Sequence, residues 1–184
     1  AYMQDLNCLV IGVTGSNGKT SCKDMLYSVF SPVKKTQRTE GNHNNEIGLP
    51  LTVLDLDQDV EVAILEMGME GFDEISFLCS IAQPDISIIT TIGSAHMENL
   101  GSKKNIARAK CEILQHTKPN GLFLYNKESS EIDEVIKEID VDPSIQLHSF
   151  GKDGEIYIEG AIDHSRDGIA FRCSALEKAV HLNV

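Results

Sequence analysis

An α/β fold is predicted: a P-loop-containing, mostly parallel sheet flanked by helices, with an appended antiparallel hairpin region. Three features carry that expectation. Apolar runs of strand length alternate with helical patterns as far as about Ile139, the spacing of βαβ units. The Gly-rich stretch Gly15-Ser16-Asn17-Gly18-Lys19-Thr20 lies between the first such run and the first helix. From about Ile145 the pattern shifts to short β-like runs punctuated by Gly and Asp turns, which reads as antiparallel hairpins.

Taken in order, Leu6 to Val13 is a buried strand and Lys19 to Phe30 a helix stopped by Ser31-Pro32. A short strand is expected around Val33 to Thr36, then a polar loop over Gln37 to Asn45. A helix over roughly Glu46 to Leu54 tolerates Pro50 only near its first turn, where no intrahelical N–H is needed. Glu61 to Met67 and Asp85 to Thr91 are buried strands, separated by a helix over Asp73 to Ala82 that Pro84 ends. Ser102 to His116 is a helix closed by Pro119-Asn120-Gly121, and Leu122 to Asn126 a further strand. Ser130-x-x-Asp133 reads as a capping box opening a helix to about Ile139. The later β runs are Gln146–Phe150, Glu155–Glu159 and Gly168–Cys173, with turns at Lys152-Asp153-Gly154 and Arg166-Asp167-Gly168. No repeat, low-complexity tract or linker interrupts the chain, so residues 1–184 read as one domain with a hairpin subregion over about 145–184.

The 184 residues suffice for one sizeable core and are few for two domains. Hydrophobic residues at 41% and charged residues at 24% are ordinary globular usage. No apolar run is long enough to span a bilayer, and Ala1-Tyr2-Met3-Gln4-Asp5 lacks the basic and apolar regions of a signal peptide. Lys and Arg number 16 against 28 Asp and Glu, a net charge of −12, so neither nucleic acid nor anionic membrane is an expected partner. A polyphosphate bound here must be offset locally by divalent cations, a lysine or a helix N-terminus. Cys8, Cys22, Cys79, Cys111 and Cys173 are scattered without a C-x-x-C, which argues against a disulfide framework or zinc site and for a cytoplasmic location.

Five groups of residues carry chemistry. In Gly15 to Thr20 the glycines let backbone amides turn around phosphate oxygens, Lys19 reaches the β/γ-phosphates and the Thr20 hydroxyl can ligate Mg²⁺. Val13 stands where the strict G-x-x-x-x-G-K-[ST] pattern has Gly, so this is the shorter G-x-x-G-K-T form. Glu66 ends an apolar strand, where ligands of parallel sheets bind, and can hold Mg²⁺ beside that loop. His96 lies just past the next apolar strand, so that Thr20, Glu66 and His96 open on one edge. Lys110 sits on or beside the helix face of Ile106, Ala109, Ile113 and Leu114, where a lysine by default snorkels to water; partial burial lowers an amine's pKa, and a neutral amine can take up CO₂ as a carbamate. The cluster Asn42-His43-Asn44-Asn45 offers donors and acceptors suited to a sugar or pyrophosphate, or to turns and the cap of the next helix.

With Val13 to Thr20 (VTGSNGKT), Thr39 to Pro50 (TEGNHNNEIGLP), Leu65 to Met69 (LEMGM), Ile92 to His96 (IGSAH) and Ala107 to Ile113 (ARAKCEI), the sequence resembles the central ATP-binding domain of the Mur ligases, over roughly Val10 to Asn126. The asparagine cluster and LEMGM most resemble the branch that adds D-alanyl-D-alanine to UDP-N-acetylmuramoyl-tripeptide in peptidoglycan synthesis. The resemblance implies ATP held by Gly15 to Ser21, with Asn126 on adenine, although Lys127 stands where the family usually has an acidic residue. It implies two Mg²⁺ ions, Thr20 on the first, Glu66 on both and His96 on the second, supported by a carbamylated Lys110. Asn42, Asn44 and Asn45 would face the UDP-sugar substrate. The implied protein is a monomeric enzyme that works through an acyl phosphate. Family members add an N-terminal UDP-substrate domain and a C-terminal domain that closes over ATP, so this chain alone is expected to bind nucleotide and turn over poorly. Two other readings stand beside it: a sister ligase of the Mur or folylpolyglutamate type, and a P-loop nucleotide switch. Asn126-Lys127-Glu128-Ser129 resembles a guanine-reading N-K-x-D at a distance, without its Asp.

Overall fold

The computed structural model describes residues 2–165, 168–175 and 178–183. A short helix α1 (Tyr2–Asp5) precedes β1 (Leu9–Thr14), α2 (Lys19–Phe30), β2 (Thr36–Arg38), α3 (Gly48–Leu54) and β3 (Val62–Glu66). Then come α4 (Glu74–Ile81), β4 (Ile86–Ile89), α5 (Met97–Leu100), α6 (Lys103–Gln115), β5 (Leu122–Asn126), α7 (Ser130–Ile136) and β6 (Gln146–Phe150). Strands β7 (Tyr157–Ser165), β8 (Gly168–Ala175) and β9 (Lys178–Asn183) follow.

Strands β1 to β6 form one sheet in the order β2-β3-β1-β4-β5-β6, and every pairing in it is parallel. The chain leaves β1 on the side of β3, then crosses over to place β4 on its other side. That reversal makes the carboxyl ends of β1 and β4 the crevice where open α/β sheets bind ligands. Alternate side chains of a strand point to opposite faces. Ile11, Val13, Val62, Ile64 and Ile88 meet Cys22, Leu26, Tyr27 and Phe30 of α2 on one face. Val10, Ala63 and Leu65 join Leu49, Ile75, Leu78, Ile106, Ile113 and Ile132 from α3, α4, α6 and α7 in the larger core. Among the described residues no helix is long and apolar enough to cross a membrane. All five cysteines are free.

Three expectations need correction. Gln146–Phe150 is not part of a hairpin: β6 lies parallel to β5, with Asn126 opposite Phe150, because the connection through α7 is a crossover rather than a tight turn. The antiparallel region is β7-β8-β9 alone; Arg166 and Asp167 of the expected turn fall outside the described residues. The Ser130–Asp133 capping box does not form. Ser129 is the N-cap of α7, Ser129 Oγ accepts from Ile92 N (3.0 Å), and Asp133 instead accepts from Tyr125 Oη and Lys127 Nζ (both 2.9 Å). The strand expected at Val33 begins at Thr36, since Val33 N and Lys34 N both bond back to Phe30 O to close α2.

Candidate functional site

The loop after β1 is pinned to the end of β4. Ser16 N donates to Thr91 O (2.8 Å) and Thr90 Oγ1 to Asn17 O (2.6 Å), while Asn17 N donates to Thr91 Oγ1 (3.2 Å). Gly15 has φ +147°, and a Cβ there would sit 1.9 Å from Thr90 Oγ1, so only glycine lets the two loops approach this closely. Gly18 caps α2 in the left-handed region (φ 79°), and among the described residues no side chain bonds the first-turn amides. Those amides and the positive end of the helix are thus free to receive an anion. Lys19 Nζ folds onto Gly15 O at 2.9 Å, and Ser21 is exposed on the first turn.

Thr20 Oγ1 donates to Glu66 Oε2 at 2.9 Å. Glu66 is 2% exposed, and its other carboxylate oxygen accepts from Asn44 Nδ2 at 2.8 Å. The asparagine loop can lie against the end of β3 because residue 68 is glycine. A Cβ there would come within 2.9 Å of Asn44 Oδ1, and Gly68 N donates to Asn44 O at 2.7 Å. Asn45 Oδ1 accepts from Ile47 N and Gly48 N, so it caps α3. Asn42 is exposed, and its carbonyl accepts from Asn44 N in the preceding turn.

A polar cavity of about 360 Å³ opens between these loops, lined by Lys19, Asn44, Asn45, Glu70 and His96 among others. His96 sits at the N-cap of α5 with φ 66° and ψ 19°, a backbone conformation that costs a non-glycine residue on the order of 1 kcal/mol and that concentrates at functional sites. Among the described residues no hydrogen bond or ion pair engages its ring, so the structure brings His96 to the same cavity as Lys19 without joining it to Glu66. Lys110 is 1% exposed within α6. Burial, with the Lys19 charge adding to it, lowers its pKa to about 7. Asn126 ends β5, where its Oδ1 accepts from Glu128 N (2.9 Å).

Among the described residues no three His, Cys, Asp or Glu side chains cluster as a metal cage. The donors present, a threonine hydroxyl bonded to a buried carboxylate beside a helix start with no side-chain cap, fit Mg²⁺, which takes one or two protein oxygens and completes its shell with phosphates and water.

Four contributors escape the sequence reading. Thr90 and Thr91 fasten the loop. Thr39 Oγ1 accepts from Glu66 N at 2.9 Å. Lys23, 3% exposed, donates to Thr39 O at 2.9 Å and lies 3.9 Å from Glu66 Oε2. Lys23 was findable, since it stands three positions after Thr20 and hence on the same helix face; the threonines act through tertiary contacts that no local pattern encodes.

Fold and site together define a domain of the parallel α/β class with a Gly-rich loop between β1 and α2. Residues 13–184 match the Mur ligase middle domain. The chain belongs to that family. Over 125 residues it is 50% identical to the UDP-N-acetylmuramoyl-tripeptide–D-alanyl-D-alanine ligase of Bacillus subtilis, covering 68% of this chain and 27% of the relative. The crystal structure of MurF from Acinetobacter baumannii superposes with a TM-score of 0.86 at 32% identity, over 100% of this chain and 40% of that one. MurF ligase from Thermotoga maritima, solved in complex with ADP, gives a TM-score of 0.85 at 28% identity, over 99% of this chain and 42% of that one. This chain thus spans well under half the length of these relatives.

Proposed function

We propose that this chain is the ATP-binding part of a ligase that joins D-alanyl-D-alanine to UDP-N-acetylmuramoyl-tripeptide through an acyl phosphate, in a monomeric cytoplasmic enzyme. The observation that carries the reading is the Thr20–Glu66 pair at the start of α2, which has no side-chain cap, at the switch point of the sheet. The named activity of the Bacillus relative, half identical over two thirds of this chain, supports the choice of substrates.

In this reading Gly15 to Ser21 bind the ATP phosphates through backbone amides, and Asn126 contacts adenine. Lys19 releases Gly15 O to face the transferred phosphoryl group and stabilise its developing charge. Thr20 and Glu66 would hold one Mg²⁺, and Glu66, His96 and a carbamylated Lys110 would hold a second. Bound there, Mg²⁺ would supply neutralisation of charge on the phosphates while the tripeptide carboxylate attacks the γ-phosphorus and ADP leaves. Asn42, Asn44 and Asn45 face the UDP-sugar, and the amine of D-alanyl-D-alanine attacks the acyl phosphate and releases phosphate. Lys110 suits carbamate formation because its amine is largely neutral above about pH 7.

The test is ADP release by a full-length ligase carrying this chain, with UDP-N-acetylmuramoyl-tripeptide and a panel of amines. D-alanyl-D-alanine alone should sustain turnover. Turnover with a single amino acid or with glutamate in its place would move the chain to a sister ligase.

A further inference from the structure

Lys23 is the one buried residue of α2, and it is charged. An ammonium taken out of water is costly unless hydrogen bonds and opposite charge are returned to it. Lys23 has both. Its Nζ donates to Thr39 O at 2.9 Å and lies 3.9 Å from Glu66 Oε2 and 3.6 Å from Asp24 Oδ1; Asp24 is half exposed, Glu66 buried. Thr39 is fully buried, and its hydroxyl accepts from Glu66 N. Lys23, Thr39 and Glu66 therefore tie α2 to the end of β3, while Thr20 and Asn44 occupy the two carboxylate oxygens. The site functions absorbed so far use Lys19, Thr20 and Glu66 and leave Lys23 without a role.

We propose that Lys23 is a positioning residue for Glu66. Its charge holds the carboxylate in register with Thr20 Oγ1 before any cation arrives, so that a divalent cation meets a preformed pair. The inference rests on the reading of Thr20 and Glu66 as the Mg²⁺-facing groups. A neutral donor at position 23 keeps the tether to Thr39 and loses the compensating charge, which separates the two contributions.

The test uses Lys23→Met, Lys23→Gln, Glu66→Gln and the double substitutions in this chain, with two readouts. The first is urea unfolding without ligand. Lys23→Met should lower the midpoint, and adding Glu66→Gln should recover part of the loss, because the buried carboxylate no longer lacks its counter-charge. Strictly additive losses overturn the Lys23–Glu66 pairing whatever nucleotide does. The second is calorimetric titration with ADP in EDTA and in saturating Mg²⁺. Lys23→Gln should keep its affinity in EDTA within about threefold of the parent and lose at least about tenfold of the gain Mg²⁺ gives. Should Lys23→Met fail to fold, Lys23→Gln carries both readouts, since it retains the donor to Thr39. A parent with a clear Mg²⁺ gain and a Lys23→Gln variant with the same gain overturns the proposal alone, leaving Lys23 a tether. A parent that shows no Mg²⁺ gain overturns the nucleotide reading, and the proposal with it.

Discussion

Lys110 concentrates the physical argument at the scale of a single residue. An amine 1% exposed, on a helix face shared with Ile106, Ala109 and Ile113, has its pKa lowered to about 7 by burial, with Lys19 adding to the effect. In the unfolded chain the ordinary value is 10.5. Between those two values the unfolded state binds more protons than the folded one, so stability should rise with pH across that window, by on the order of 1.4 kcal/mol per unit at most, and be flat below it. Lys110→Met removes the titration. The difference in urea midpoint between parent and variant, followed from pH 7 to about 10, should shift steadily toward the parent; parallel curves would show that Lys110 does not titrate in this range. A second expectation concerns the carbamate. In a full-length ligase Lys110→Ala should be folded and nearly inactive, with part of the activity returned by formate or acetate, and Lys110→Arg should not be rescued because guanidinium stays charged. Full activity of the alanine variant contradicts the carbamate. The position of Lys110 on or beside the apolar stripe was legible in the helical spacing, while its full burial, against the snorkelling a lysine defaults to, was not. The position of Lys23 was equally encoded, but α2 is judged amphipathic by its apolar residues, and the lysine then passes for one of the solvated face.

Elements show where local pattern ends. α2 occupies Lys19–Phe30 and β5 Leu122–Asn126, as the spacing predicts, because Gly18, Pro32 and the apolar run are local signals. The direction of β6 is not local: a five-residue run reads alike in a hairpin or a crossover, and only its pairing with β5 decides. Caps can also come from afar. The start of α4, with Asp73 in the left-handed region and no side-chain cap of its own, is served by Glu112 of α6, whose carboxylate accepts from Asp73 N (2.8 Å) and Ser76 N (3.0 Å). Glu112→Ala strands both donors and should destabilise the chain by about 1–3 kcal/mol in urea unfolding. A change within experimental error would mean that water satisfies those amides equally well.

At the scale of the molecule the parallel sheet explains why residues far apart in sequence meet. Thr20 follows β1, Glu66 ends β3, His96 follows β4 and Asn126 ends β5, all at carboxyl ends, and the reversal of strand order at β1 opens the space between them. That much was legible, because alternating strands and helices oblige the loops after successive strands to share an edge. The contacts within the edge were not: Asn44 reaching Glu66, and Asn45 spent on capping α3, are set by how one polar loop drapes over Gly68. The chain carries a net charge of −12, so an anionic nucleotide is held here only if the loop, Lys19 and Mg²⁺ offset its charge locally. The most direct measurement is therefore calorimetric titration of this chain with ADP, with and without Mg²⁺, set against Lys19→Ala. The account predicts binding that Mg²⁺ strengthens and that Lys19→Ala weakens by about tenfold or more. Equal affinity in parent and variant, or binding indifferent to Mg²⁺, would contradict it.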